Sequence, residues 1–150
     1  MFLFFMQTIC MRRDTKLGIL TSFTAKKLEK QLTDERNALR DLSYRELWQR
    51  TRTYWKRYIV ISECIETICI DVAIEAYLIG VHYSRFIYYG ESTEAVRGRC
   101  IDEYTQLLYE LYEHMKKYGD DMYDACARYI DEWWKEGVEK GLRRQRLRLK

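Results

Sequence analysis

A chain of 150 residues, 47% hydrophobic and 33% charged, suits one domain with one core and excludes a catalytic domain joined to a separate regulatory one. A net charge of +3, from 26 basic and 23 acidic residues, is too small to make the whole molecule a polyanion binder. Five scattered cysteines, Cys10, Cys64, Cys69, Cys100 and Cys126, form no C-x-x-C pair, which argues against a disulfide framework or a structural zinc site and for a reducing, cytoplasmic location.

Proline is absent and glycine occurs only 7 times, so helices can run long and must be stopped by glycine and capping residues. The first ten residues, Met1 to Cys10, are apolar but far short of the roughly 20 residues of a bilayer span, and their basic residues follow rather than precede them. They read as neither a span nor a signal peptide. Residues 1–22 are expected to be a poorly structured extension, either a partner-anchoring arm or the product of an upstream start codon, with Met11 as the favoured alternative beginning.

From Thr24 to Arg40 the chain is charged and amphipathic, with Leu28, Leu32 and Leu39 as a narrow stripe. Ser43 and Glu46 match a capping box, so a second helix is expected over Tyr44–Tyr58. Leu47, Trp48, Thr51, Trp55 and Tyr58 give it an aromatic face, and Arg45, Arg50, Arg52, Lys56 and Arg57 make it basic. Ser62, followed by Glu63 and Glu66, opens a third helix with acids at its positive end. Its wide apolar surface, Ile65, Ile68, Cys69, Val72, Ala73, Ala76, Ile79 and Gly80, marks it as the centre of a bundle. Gly80 can end this helix or permit a close crossing, and Val81 to Tyr89 reads as either a helical continuation or an aromatic loop before the break at Gly90.

A fourth helix is expected over Thr93–Tyr118, about 39 Å at 1.5 Å per residue, buried through Val96, Cys100, Tyr104, Leu107, Leu108, Leu111 and Met115. A fifth is expected from Asp121 to about Lys140, with Met122, Ala125, Cys126, Tyr129, Ile130, Trp133 and Trp134 inward and Gly137 and Gly141 loosening its end. The fold class is therefore all-α: a single-domain bundle of about five helices over residues 23–142, followed by a basic tail over 143–150.

Asp71 to Gly80, Tyr88 to Ser92, Trp133-Trp134 and the closing Arg-Leu-Arg-Leu run together resemble a small family of uncharacterised proteins from Bacillus and its relatives. This is the YbaK-type family, which shares only its name with an aminoacyl-tRNA deacylase. The resemblance extends from about Phe23 to Lys150, and Gly80-Val81-His82 departs from the Gly-Gly-Arg-like run of the family. It implies a helical fold and supports the later start, and it carries no catalytic residue over.

Chemistry must then be read from spacing. Asp71, Glu75 and His82 share a face if the third helix passes Gly80, and Glu103, Glu110 and His114 share one on the next, so two facing rows could hold a metal. The Glu-x-x-His spacing of helical-bundle carboxylate sites is missing, and the plainer reading has Glu75 paired within the scaffold, Glu103 and Glu110 solvated, and His114 at the negative end of its helix. No metal or cofactor is therefore expected. A metal-carboxylate enzyme centred on Glu75 is the minor reading, and no phosphate loop or nucleophile elbow is present.

The Tyr- and Arg-rich stretch either caps the core or forms a binding groove, because Tyr and Arg combine contact area with hydrogen bonding. A groove made of Glu75, Tyr77, Arg85, Tyr88, Tyr89 and Trp134, serving a non-enzymatic adaptor or regulator that binds a protein partner, is the functional expectation, with self-association possible. The basic run Arg143, Arg144, Arg146, Arg148 and Lys150 supports an alternative, nucleic-acid association, helped by the arginines of the second helix and by Trp48 or Trp55 as stacking surfaces.

Overall fold

The computed structural model describes residues 22–148, with side chains from residue 25 onward. The basic residue Lys150 and nearly all of the N-terminal extension, including Met1, Cys10 and Met11, lie outside the described residues. Six α-helices and no strand occur among the described residues: α1 (Ser22–Arg40), α2 (Tyr44–Trp55), α3 (Glu63–Tyr88), α4 (Thr93–Arg99), α5 (Ile101–Met115) and α6 (Met122–Arg148), with a 3₁₀ turn at Lys116–Tyr118 after α5. The chain divides into two units, Met1–Asn37 and Ala38–Lys150. The first contributes most of α1, on which Leu28 and Leu32 are half-buried; the second contains everything from the last residues of α1 onward.

Serine caps start three of the helices, each by accepting an otherwise unpaired backbone N–H. The Glu46 amide donates to Ser43 Oγ (3.4 Å), the Ile65 amide to Ser62 Oγ (3.4 Å) and the Ala95 amide to Ser92 Oγ (3.2 Å). Helix ends follow a different rule. At the end of α3 the Glu91 amide bonds to the Phe86 carbonyl (3.0 Å) and the Gly90 amide to the Ile87 carbonyl (3.0 Å), with Gly90 at φ +107°. This is a Schellman closure, and glycine fits its left-handed position without steric cost.

The centre of the second unit is the pairing of α3 with α6. Gly80 of α3 and Gly137 and Gly141 of α6 make it close. A β-carbon on Gly137 would overlap the Tyr77 carbonyl oxygen and lie 2.8 Å from its carbonyl carbon. On Gly80 it would overlap the Trp134 carbonyl and lie 2.8 Å from the Val138 nitrogen, and on Gly141 it would lie 3.0 Å from the Val81 carbonyl. The two backbones therefore touch along a seam that ends at the buried Ser84, whose hydroxyl turns back to donate to the Val81 carbonyl at 2.6 Å. Small residues spaced by four on α6 permit such an approach wherever two helices pack.

The structure departs from the expected boundaries in four places, two of them on the seam. α3 does not stop near Gly80 but continues to Tyr88, which makes the segment after Val81 helix rather than loop. α6 does not loosen at Gly137 but runs to Arg148, so the basic residues 143–148 belong to a helix. In both cases the glycine serves contact with the facing backbone, and tertiary packing outweighs its low helix propensity. The third correction is the helix count. The segment from Thr93 to Tyr118 breaks at Cys100 (φ −103°, ψ 14°) into α4 and α5, where Gly98 weakens the helix and the bend lets Val96 and Cys100 both join Trp134 and Val138 in one buried cluster. α2 also ends earlier than expected, at Trp55, and buries Tyr54 in place of Tyr58.

One hydroxyl ties α2, α3 and α6 together. Tyr129 Oη donates to the Cys69 carbonyl (2.8 Å) and shares a hydrogen bond with Thr51 Oγ1 (2.9 Å), all three residues being buried. A satisfied buried bond of this kind adds about 1 kcal/mol, and its loss costs more when it strands a partner. Around it Tyr54 and Trp55 lie with ring centroids 5.2 Å from that of Tyr129.

Candidate functional site

The six residues expected to form a groove are not brought together at one surface. Tyr77 and Trp134 are completely buried. The Tyr77 hydroxyl donates to the Ala38 carbonyl at 3.2 Å, and Trp134 packs with Val96 and Cys100 beneath the Arg97 guanidinium, 5.0 Å from its ring. Both are scaffold. Glu75 is half-buried in the middle of α3, whereas Arg85, Tyr88 and Tyr89 lie at its C-terminal end. Sequence periodicity gives the right helix for Glu75, Tyr77 and Trp134 and leaves Arg85, Tyr88 and Tyr89 in a segment that reads as helix or loop; only the seam shows which of the six face inward.

What survives of the expected groove is a corner where α3 meets α4. Its centre is Phe86. The Arg85 guanidinium lies 4.8 Å and the Arg99 guanidinium 4.3 Å from the Phe86 ring centroid, and Arg99 is fixed in turn by paired bonds from Nε and Nη2 to the two Glu91 oxygens, 2.8 and 2.6 Å. Those bonds hold the Glu91 carboxyl below its ordinary pKa and raise that of Arg99. Tyr89, edge-on to Tyr88 at 5.3 Å, is 81% exposed although its position is set by the Schellman closure. Phe86 belongs to the Tyr- and Arg-rich stretch, whereas Glu91 and Arg99 escape a reading of sequence because the contacts of Arg99 reach eight residues back to Glu91 and thirteen to Phe86 across a glycine turn; the sequence signal for them is Tyr88-Tyr89-Gly90 following an apolar helix.

A second feature lies between α2 and α6. There a cleft of about 260 Å³ is lined by Gln49, Arg50, Thr53 and Arg57 on one side and by Glu132 and Trp133 on the other, with Tyr54 and Tyr129 also at its wall. Arg50 stacks on Trp133 at 4.1 Å and approaches Glu136 at 3.6 Å; Arg57 sits 5.6 Å from the Tyr54 ring.

The facing metal rows do not form. The unbroken α3 does carry Asp71, Glu75 and His82 at the expected steps, but among the described residues no group of three or more His, Cys, Asp or Glu could hold a metal ion. His82 is exposed, its ring edge-on to Tyr83 at 5.1 Å. Glu103 accepts a 2.7 Å bond from the Tyr83 hydroxyl, which together with burial pushes the Tyr83 phenol up to about 12, burial being the larger cause. Glu110 is half-buried on α5 and His114 exposed in its last turn. Asp71 is distinctive for another reason: burial raises its carboxyl to about 6.

The cysteines behave as apolar filler. Cys69, Cys100 and Cys126 are buried, and burial raises all three thiols, Cys126 to about 12. Cys64, by contrast, is exposed in the first turn of α3. In the basic segment, Arg144 Nε donates to Asp41 Oδ2 at 2.6 Å, which ties it to the turn after α1, while Arg143, Arg146 and Arg148 are exposed on the helix. Trp48 is half-buried with Arg52 over its ring at 5.0 Å, and Trp55 is fully buried. Trp55 therefore offers no stacking platform of the kind expected of it.

Residues 17–150 match the model of the family described as Protein of unknown function (DUF2521). The chain belongs to this family. It is also 28% identical, over 154 aligned positions covering 86% of this chain and 97% of the relative, to the uncharacterized protein YbaK of Bacillus subtilis (strain 168). No solved structure matches. Both findings agree with the resemblance seen in the sequence, and the family match begins a few residues before Phe23. No helix among the described residues is long and apolar enough to cross a membrane.

Proposed function

We propose that this DUF2521 protein is a non-enzymatic adaptor or regulator that docks a protein partner at the α3–α4 corner. The observation that carries the reading is Tyr89, 81% exposed on a closed helix end and three residues after Phe86, whose ring has the Arg85 and Arg99 guanidiniums beside it. A residue at a frayed terminus loses backbone freedom on binding, whereas one on a hydrogen-bonded turn loses less, and preorganisation of this kind favours affinity. Tyr and Arg are also the side chains that dominate binding energy at protein interfaces. The partner surface that fits offers an apolar face to Tyr89 and a carboxylate to Arg85.

The test is photo-crosslinking in a Bacillus host, with p-benzoylphenylalanine placed at Tyr89 and, in a separate strain, at the exposed Glu94. One dominant protein adduct from position 89, absent from position 94, is the expected result. No adduct at 89, or the same pattern from both positions, overturns the reading. An adduct with the mass of two copies of the chain identifies the partner as the protein itself.

A further inference from the structure

The cleft between α2 and α6 is separate from the corner and has its own chemistry. Gln49, Arg50 and Thr53 share one side of α2 at helical spacing, and Arg57, in the turn just after its last residue, Trp55, lines the same cleft. Two of the lining groups are guanidiniums placed over aromatic rings: Arg50 over Trp133 at 4.1 Å and Arg57 over Tyr54 at 5.6 Å. A guanidinium held over a ring keeps its N–H donors for other partners; Arg50 turns Nη1 to Glu136 at 3.6 Å, which leaves its remaining donors and those of Arg57. The rings are themselves anchored. Trp133 is buried, and Tyr54 donates its hydroxyl to the Ala125 carbonyl at 2.5 Å.

We infer that this cleft is a binding site for a small organic phosphate. The Arg57 fork, the Arg50 donors not turned to Glu136, the Thr53 hydroxyl and the Gln49 amide supply more donors than the two oxygens of a carboxylate can use, and a phosphate group offers three strong acceptor oxygens. A cavity of about 260 Å³ suits a ligand below drug size, which sets a metabolite-sized phosphate apart from a polymer backbone. Glu132 on the opposite wall is an acceptor for a hydroxyl or ammonium group elsewhere on the same ligand, and Glu136 near Arg50 limits how much total negative charge the site takes. A phosphate monoester bearing a hydroxyl or an amine meets all of these conditions.

Binding is tested on the full chain by titrating inorganic phosphate against chloride at matched ionic strength, followed by two-dimensional NMR of the backbone amides and tryptophan indoles. Saturable shifts confined to Thr53, Arg57 and the Trp133 indole, weakened about tenfold or more in Arg57→Gln, are expected, since a charge-assisted bond is lost. Arg57 is exposed, so its replacement leaves the fold intact; should Arg57→Gln nevertheless unfold, Thr53→Val carries the same test with a smaller loss. Shifts equal to those from chloride, or unchanged affinity in both variants, overturn the inference. So does a short RNA oligonucleotide that binds the same residues more tightly than phosphate at equal phosphate concentration, because the site then reads a polymer.

Discussion

Asp71 shows how one side chain links position to pH. Its carboxyl sits part-way into the protein on α3, where burial penalises the charged form and raises its pKa from an ordinary 3.8 to about 6. Between those two values the folded protein holds a proton that the unfolded chain has already released. Stability therefore falls as pH rises from about 4 to about 6, and Asp71 is a net liability at neutral pH. Replacing it with Asn removes the titration. Asp71→Asn is expected to raise the urea midpoint at pH 7 while leaving it nearly unchanged relative to the parent at pH 3.5, and the same midpoint difference at both values would contradict the assignment. The hydroxyl of Tyr129 makes the complementary case: it is buried outright and satisfied by Thr51 and Cys69, so it contributes to the fold where Asp71 detracts from it.

At the scale of elements, the glycines divide by what faces them. Gly137 lies against the Tyr77 backbone, whereas nothing approaches within 4 Å of the place a β-carbon would take on Gly98. Backbone cannot move aside as a flexible side chain can, so Gly137→Ala must separate α3 from α6 and is expected to cost about 2 kcal/mol or more, in the range of overpacked cores. Gly98→Ala is expected to stabilise by about 0.5–1 kcal/mol through helix propensity alone. Denaturant unfolding of the two variants side by side measures both, and equal effects would remove the seam from the account. The starts of α2, α3 and α4 were legible because Ser43, Ser62 and Ser92 act locally, on amides three residues away. The core faces of α3, α5 and α6 were legible because their apolar spacing persists over many turns. Gly80 was ambiguous for a physical reason: a helix stop and a helix crossing use the same residue, and the backbone that decides between them lies more than fifty residues along the chain. The break at Cys100 was hidden in the same way, since the apolar spacing continues through it and only the shared contact with Trp134 calls for the bend.

For the molecule as a whole, the seam sorts the aromatic residues into scaffold and surface. Trp134 and Tyr77 carry the composition of a binding hot spot yet are consumed by the core, while Tyr89 and Arg85 remain outside it; composition alone does not separate them, because the same large amphipathic side chains serve interiors and interfaces. The α2–α6 cleft was likewise out of reach of sequence, since it exists only when Arg50 and Trp133, over eighty residues apart, are stacked. The proposed docking corner is expected to be displayed by a fold that does not depend on it. The measurement that tests this most directly is the Arg85→Glu/Tyr89→Ala double variant, compared with the parent in thermal unfolding and in formation of the protein adduct crosslinked from the neighbouring Tyr88 position. A melting temperature within about 3 °C of the parent, as for surface changes, with the adduct reduced about tenfold or more, is the predicted result. A lower melting temperature with the adduct undiminished would place Arg85 and Tyr89 in the scaffold and contradict the account.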